Sequence, residues 1–135
     1  MKALSFLINS HLLISAAAVA LALATSTQFG VQPTFNASLA VIFFATFFDY
    51  NLHGYLKVKS DTDALINKKN AWVTNNMSLV ILFIILSLGA LIVSLLFVSL
   101  QVICLFLALS LPTLLYSIII TRQNILWQIK EIPFT

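Results

Sequence analysis

Charged side chains are scarce in this sequence. Only 8% of its 135 residues are Asp, Glu, Lys or Arg, whereas a soluble domain carries about 25%. Apolar residues make up 61% of the chain, and the mean hydropathy is +1.05. A water-soluble chain of this length has no room to enclose so much apolar side chain, so an ordinary soluble domain is excluded. The predicted solvent is therefore lipid.

Cysteine and histidine are also rare. A single cysteine, Cys104, excludes an intrachain disulfide, and its place in an apolar run indicates a packing role. His11 and His53 are the two histidines, and two ligands alone do not make a metal site. No glycine-rich phosphate loop, hydrolase motif or Cys/His metal spacing occurs. The sequence thus predicts no metal site. The net charge of +3 is too small to bear on nucleic-acid binding, and no nucleic-acid partner is expected.

Four apolar stretches have the length that a membrane-spanning helix needs, about 20 residues at about 1.5 Å each. The last two come from an uncharged run over residues 79–121, which is about twice the length of one span and must reverse near Ser99 to Gln101. We predict an all-α integral membrane protein that forms a single domain over residues 1–135. Its transmembrane helices are predicted at residues 4–25, 35–55, 78–97 and 101–121.

The positions of the cations predict the orientation. All seven lie before the first span, between the second and third, or after the fourth: Lys2, Lys57, Lys59, Lys68, Lys69, Arg122 and Lys130. Because cations collect on the cytoplasmic side of a membrane, both termini and a loop at residues 56–76 are predicted to be cytoplasmic. Residues 122–135 are predicted to form an interfacial tail. The expected location is the inner membrane of the cell, crossed several times.

The first apolar stretch has an alternative interpretation. Lys2, an apolar run and the small-residue site Ala22-Leu23-Ala24 also fit a cleaved signal peptide over residues 1–24. Against it, only one lysine precedes the run, and polar residues at positions 9–11 separate the lysine from the apolar core. Whether this stretch is retained or removed stays open.

Asp49 is the one acid inside an apolar stretch. It shares a helix face with His53 and Lys57, because residues four apart stack on one side of a helix. An acid within a membrane is costly, and this favours a functional role at the edge of the bilayer. The alternative is an ion pair at a helix end, with the side chains extending towards water.

The segments SHLLIS (residues 10–15) and ATFFDYNLHGYLKVK (residues 45–59) carry a family resemblance. With the order of the helices, they resemble the N-terminal half of the UbiA superfamily of intramembrane prenyltransferases, and most of all its divergent members from Bacteroidetes-type bacteria. The resemblance implies a cavity for an isoprenoid lipid. The residues at its cytoplasmic mouth would be Asp49, Asn51, His53, Lys57 and Lys59. It also implies a missing C-terminal half or a homo-oligomer as partner.

One part of the family pattern is not present. Family enzymes carry N-D-x-x-D-x-x-x-D, whose carboxylates bind the Mg²⁺ that holds a prenyl diphosphate. With the motif's asparagine on Asn51, the acidic positions are taken by Leu52, Tyr55 and Lys59. No cofactor is therefore expected, and prenyl transfer is implied only by the resemblance.

Two further functions stay open. A non-catalytic accessory subunit of a membrane complex needs no active site. Its packing faces would use small residues spaced by four, which let helix backbones approach closely: Ala16, Ala20, Ala24 and, on another span, Gly89. The other is half of a small four-helix transporter, for which Asp49 lies unusually near the predicted end of its span.

Overall fold

The residues that the structure describes form six helices and the short connections between them. The computed structural model describes the backbone of residues 2–32, 34–60 and 68–130, and side chains within 2–32, 34–59, 71–116 and 118–119. No strand occurs among these residues, and the predicted all-α class is confirmed. The helices are α1 Lys2–Asn9, α2 Leu12–Gln28, α3 Ala37–Ser60, α4 Lys68–Asn75, α5 Met77–Leu96 and α6 Leu100–Lys130.

The first apolar stretch is broken and does not form the predicted continuous helix over residues 4–25. α1 and α2 meet at an angle of 67°. Between them, His11 has a φ of 63°, in the left-handed region that a non-glycine residue seldom adopts. The polar cluster at positions 9–11 therefore lies at the interruption. We refer to Ser10 and His11 as the elbow.

α3 is the central helix. It packs against α2, α4, α5 and α6. It begins two residues later and ends five residues later than the predicted span over residues 35–55. Lys57 and Lys59 occupy its last turn, where cations interact favourably with the helix dipole. The sequence placed Asp49 near the end of its predicted span. Because α3 continues to Ser60, Asp49 instead lies in the middle of the helix.

The second half of the chain follows the predicted boundaries closely. α5 occupies Met77–Leu96 where residues 78–97 were predicted, and the chain reverses over residues 97–99. The predicted loop at 56–76 contains the end of α3 and the whole of α4. Residues 61–67 of this loop lie outside the described part. The predicted tail at 122–135 is helical as far as Lys130, because α6 continues through it.

One described helix, α5, is by itself long and apolar enough to cross a membrane, with a mean hydropathy of 3.1. α1 and α2 pass the same test only together, as a bent pair, and the apolar part of α6, Leu100–Tyr116, is shorter. The prediction of four spans is therefore not confirmed. Only 17% of the most apolar part of α5 is buried, so α5 is not the enclosed core helix of a soluble protein.

An aromatic cluster joins four helices. The ring of Phe6 on α1 lies edge-on to Trp72 on α4, with centroids 6.1 Å apart, and to Phe83 on α5 at 6.3 Å. Phe47 on α3 completes the cluster, 5.4 Å from Phe83. Edge-on aromatic pairs at these distances are favourable beyond their buried area. The cluster therefore holds α1 against the helices that follow it.

The distribution of side chains is the reverse of that in a soluble protein. The most deeply buried side chains include small polar residues: Ser10, Ser15, Asn51 and Ser87. Large apolar side chains lie outside on α5 and α6, among them Ile85, Leu86, Leu96, Leu105 and Leu109. In membranes, small and polar residues pack between helices while apolar residues face lipid.

We predict that Val80→Ala destabilises the protein and that the same change at Val93 does not. Val80 is 1% exposed and Val93 is 56% exposed, and both lie on α5. Removing two buried methyl groups leaves a cavity and costs about 1–2 kcal/mol, whereas a surface change stays within about 0.5 kcal/mol. The free energy of unfolding in mild detergent measures both. Equal values for the two variants would contradict this packing.

Candidate functional site

A cleft of about 590 Å³ lies between α3, α5 and α6. We refer to it as the three-helix cleft. Four residues of α5 form its apolar wall: Leu88, Leu91, Ile92 and Leu95. Phe106, Leu107, Leu109 and Leu114 of α6 contribute further apolar surface. Most of the lining is therefore hydrocarbon, as in sites that bind apolar ligands.

Polar residues enter the three-helix cleft from two helices. Thr46, Asp49 and Tyr50 come from α3, and Ser110 and Thr113 come from α6. Within each helix these residues are three or four apart, the spacing that places side chains on one face. The cleft thus combines a long apolar wall with polar residues from α3 and α6, the arrangement that an amphiphilic ligand requires.

The serine and threonine hydroxyls of the cleft donate to the carbonyls of their own helices. Thr46 Oγ1 donates to Ile42 O at 2.7 Å. Ser110 Oγ donates to Leu107 O at 3.0 Å, and Thr113 Oγ1 donates to Ser110 O at 2.8 Å. This local bonding satisfies a hydroxyl in an apolar environment without a partner from another helix.

Asn51 belongs to a different face of α3. Its side chain is 2% exposed. Its Nδ2 donates to Phe47 O at 2.8 Å and to Ser10 O at 3.3 Å, across a separation of 41 residues. Ser10 O lies at the break between α1 and α2, where the regular hydrogen bonds of a helix are interrupted. Asn51 therefore bridges the elbow and α3.

Tyr50 connects the two faces. It lines the three-helix cleft, and its ring lies 5.7 Å from the His11 ring of the elbow. One turn later on α3, Gly54 approaches the same histidine: a Cβ placed at Gly54 would lie 3.7 Å from His11 Nε2. The elbow and the cleft are therefore neighbours on α3.

The five residues predicted to share one mouth all lie on α3, and Asp49 and His53 are close enough for their charges to interact. That the five form one mouth stays a prediction. Asp49 lines the three-helix cleft, and Asn51 is bound to the elbow. His53, Lys57 and Lys59 are not among the residues that line the cleft. Lys57 and Lys59 are exposed in the last turn of α3, and Lys59 Nζ lies 5.8 Å from the centre of the Tyr55 ring.

Sequence reasoning did not identify Thr46, Ser110 or Thr113 as site residues. Their spacing was visible, because Ser110 and Thr113 share one face of an apolar helix. The sequence does not show how α6 is rotated about its axis, and this rotation decides that Ser110 and Thr113 line the same cleft as Asp49. Within the described residues, no group of three or more His, Cys, Asp or Glu side chains is placed to hold a metal ion.

Comparison with protein family models, with curated proteins and with solved structures gives no match to this chain. The UbiA-like relationship therefore stays a prediction that rests on residues 10–15 and 45–59.

We predict that Asn51→Ala lowers the free energy of unfolding by about 1–3 kcal/mol, because it leaves the buried Ser10 carbonyl without its side-chain donor. Asn9→Ala is the matched control, since Asn9 Nδ2 donates to Ser5 Oγ at 3.1 Å on the exposed surface. That change should cost less than about 0.5 kcal/mol. Thermal or chemical unfolding in mild detergent compares the two, and equal losses would show that the elbow does not depend on Asn51.

Proposed function

We propose that this chain is a multi-pass membrane protein that binds the hydrocarbon chain of a lipid, such as an isoprenoid, in the three-helix cleft. Its order of helices resembles the UbiA superfamily. The observation that carries the proposal is the apolar cleft of about 590 Å³ with a polar strip that contains Asp49. Its size falls in the range of ligand pockets, about 300–1,000 Å³.

The exterior of the protein supports a membrane location. α5 and the described side chains of α6, up to Ile119, include many large exposed apolar residues, and α5 has the hydropathy and length of a span. In water, such a surface would greatly exceed the apolar patches that monomeric proteins expose. We propose the inner membrane of the cell, with Lys57 and Lys59 at the cytoplasmic end of α3, in accord with the cation bias.

Binding of a lipid, and not prenyl transfer, is the activity that the residues favour. A diphosphate leaving group needs cations to neutralise its charge as it departs. The charged residue of the three-helix cleft is an acid, Asp49. With the motif's asparagine on Asn51, all three acidic positions of the family motif are lost, since they hold Leu52, Tyr55 and Lys59. We therefore propose that the chain shares its descent and the binding of a lipid chain with the family, but not prenyl transfer.

A second candidate is an accessory subunit or a homo-oligomer. The small residues of α2 point outward: Ala16, Ala20 and Ala24 are all exposed. Gly89 on α5 is exposed as well, and no atom lies within 4 Å of a Cβ placed there. Surfaces of this kind let another membrane helix approach closely. Isolation of a stoichiometric partner or of a dimer in mild detergent would favour this candidate.

Photolabelling tests the lipid-binding proposal. A long-chain alcohol that carries a diazirine, added to vesicles with the reconstituted protein, should label α3, α5 and α6 around the cleft. Ala45→Phe fills the cleft, which Ala45 lines, and should reduce this labelling about tenfold, equivalent to about 1.4 kcal/mol of binding free energy.

Ala108→Phe is the control, because Ala108 is exposed on α6 and is not among the residues that line the cleft. It should leave the labelling of the cleft unchanged. Labelling spread evenly over the lipid-facing residues of the wild-type protein, with no effect of Ala45→Phe, would reject the cleft as a lipid site.

A further inference from the structure

We propose that the three-helix cleft selects long-chain amphiphiles with a primary ammonium head group over those with a phosphate or diphosphate head group. The inference rests on the proposed function, since it concerns the polar end of the ligand whose chain occupies the apolar wall. The observation that carries it is the direction of the hydrogen bonds made by the polar residues of the cleft.

The serine and threonine hydroxyls of the cleft already donate their protons within their own helices. A serine or threonine hydroxyl has one proton to donate and two lone pairs that accept. Thr46, Ser110 and Thr113 each donate that proton to a carbonyl of their own helix, at 2.7–3.0 Å. Only their lone pairs remain for a ligand, so all three hydroxyls act as acceptors.

Asp49 is also a hydrogen-bond acceptor, and its ionised carboxylate adds a negative charge. An ionised carboxylate accepts hydrogen bonds and donates none. Asp49 is the only acidic residue in the described part of the chain, and it lies on the same face of α3 as Thr46 and Tyr50. Tyr50 adds a phenolic hydroxyl, which can donate as well as accept. The strip is therefore rich in acceptors, and the charged side chain that lines it is the Asp49 carboxylate.

An ammonium group is the chemical complement of such a strip. It has three donors, no acceptor and a positive charge. Because the walls are apolar, the attraction between the ammonium and Asp49 is screened less than it would be in water. A phosphate presents acceptors and negative charge to the same groups. Lys57 and Lys59, which would attract it, are exposed in the last turn of α3 and do not line the cleft.

The test compares three diazirine probes with the same sixteen-carbon chain: an amine, a neutral alcohol and a phosphate monoester. Each is added to vesicles of neutral lipid that contain the reconstituted protein, and the labelled peptides are quantified by mass spectrometry. We expect the amine to label the residues of the cleft about tenfold more than the phosphate, a ratio equivalent to about 1.4 kcal/mol. Excess ethylamine should not compete, because the chain anchors the ligand from the lipid.

Substitutions at Asp49 assign the preference to the carboxylate. Asp49→Asn should abolish the preference for the amine while the alcohol still labels the cleft, and Asp49→Glu should retain it. The double change Ser110→Ala and Thr113→Val removes two acceptors without touching the charge, and should reduce the preference in part. Ser94→Ala is the matched control: Ser94 also donates to its own helix, to Ala90 O at 2.7 Å, but it does not line the cleft.

The possible outcomes separate the two proposals. Labelling of the cleft by all three probes to the same extent, or most strongly by the phosphate, would overturn this inference and leave lipid binding intact. A preference for the amine that persists in Asp49→Asn would also overturn it. Failure of every probe to label the cleft would instead reject the proposed function itself. Competition by ethylamine would show that the recognised ligand is a small soluble amine and not a lipid.

Discussion

The structure depends on how polar groups are satisfied where water is excluded. Ser10, Ser15, Asn51 and Ser87 are buried, and each donates a hydrogen bond to a backbone carbonyl. An unsatisfied polar group in an apolar environment costs several kcal/mol, so local bonds to the helix are required. The apolar side chains are left for the exterior. A chain arranged in this way is suited to lipid as its solvent.

α3 carries both polar features that distinguish the chain, on different faces. One face holds Asn51 against the elbow, where the break after α1 exposes the Ser10 carbonyl. The other face presents Asp49 to the three-helix cleft. Tyr50 lies between them and touches both regions. The first face stabilises the fold, and the second lines the cleft for which we propose lipid binding.

Hydropathy and length predicted the helical class, the limits of α5 to within one residue and the reversal near Ser99, because these depend on composition along the chain. The sequence also identified Asp49 as unusual. It did not predict the elbow as a bend of 67°, since that depends on the left-handed conformation of His11. It grouped Asn51 and Lys57 with Asp49, and it did not predict that Asn51 would donate to the elbow, because that bond depends on the break after α1. It missed Ser110 and Thr113, since their contribution depends on which face α6 turns towards α3.

The central claim is that lipid, and not water, surrounds the apolar exterior, and the native Cys104 tests it directly. This single cysteine is exposed on α6. A water-soluble maleimide, applied to sealed and to opened membrane vesicles, should leave Cys104 unmodified until detergent dissolves the bilayer. In a Cys104→Ser background, Lys2→Cys should react with the maleimide from one side of the membrane only. Rapid modification of Cys104 in intact membranes, or recovery of a detergent-free soluble monomer, would contradict the account.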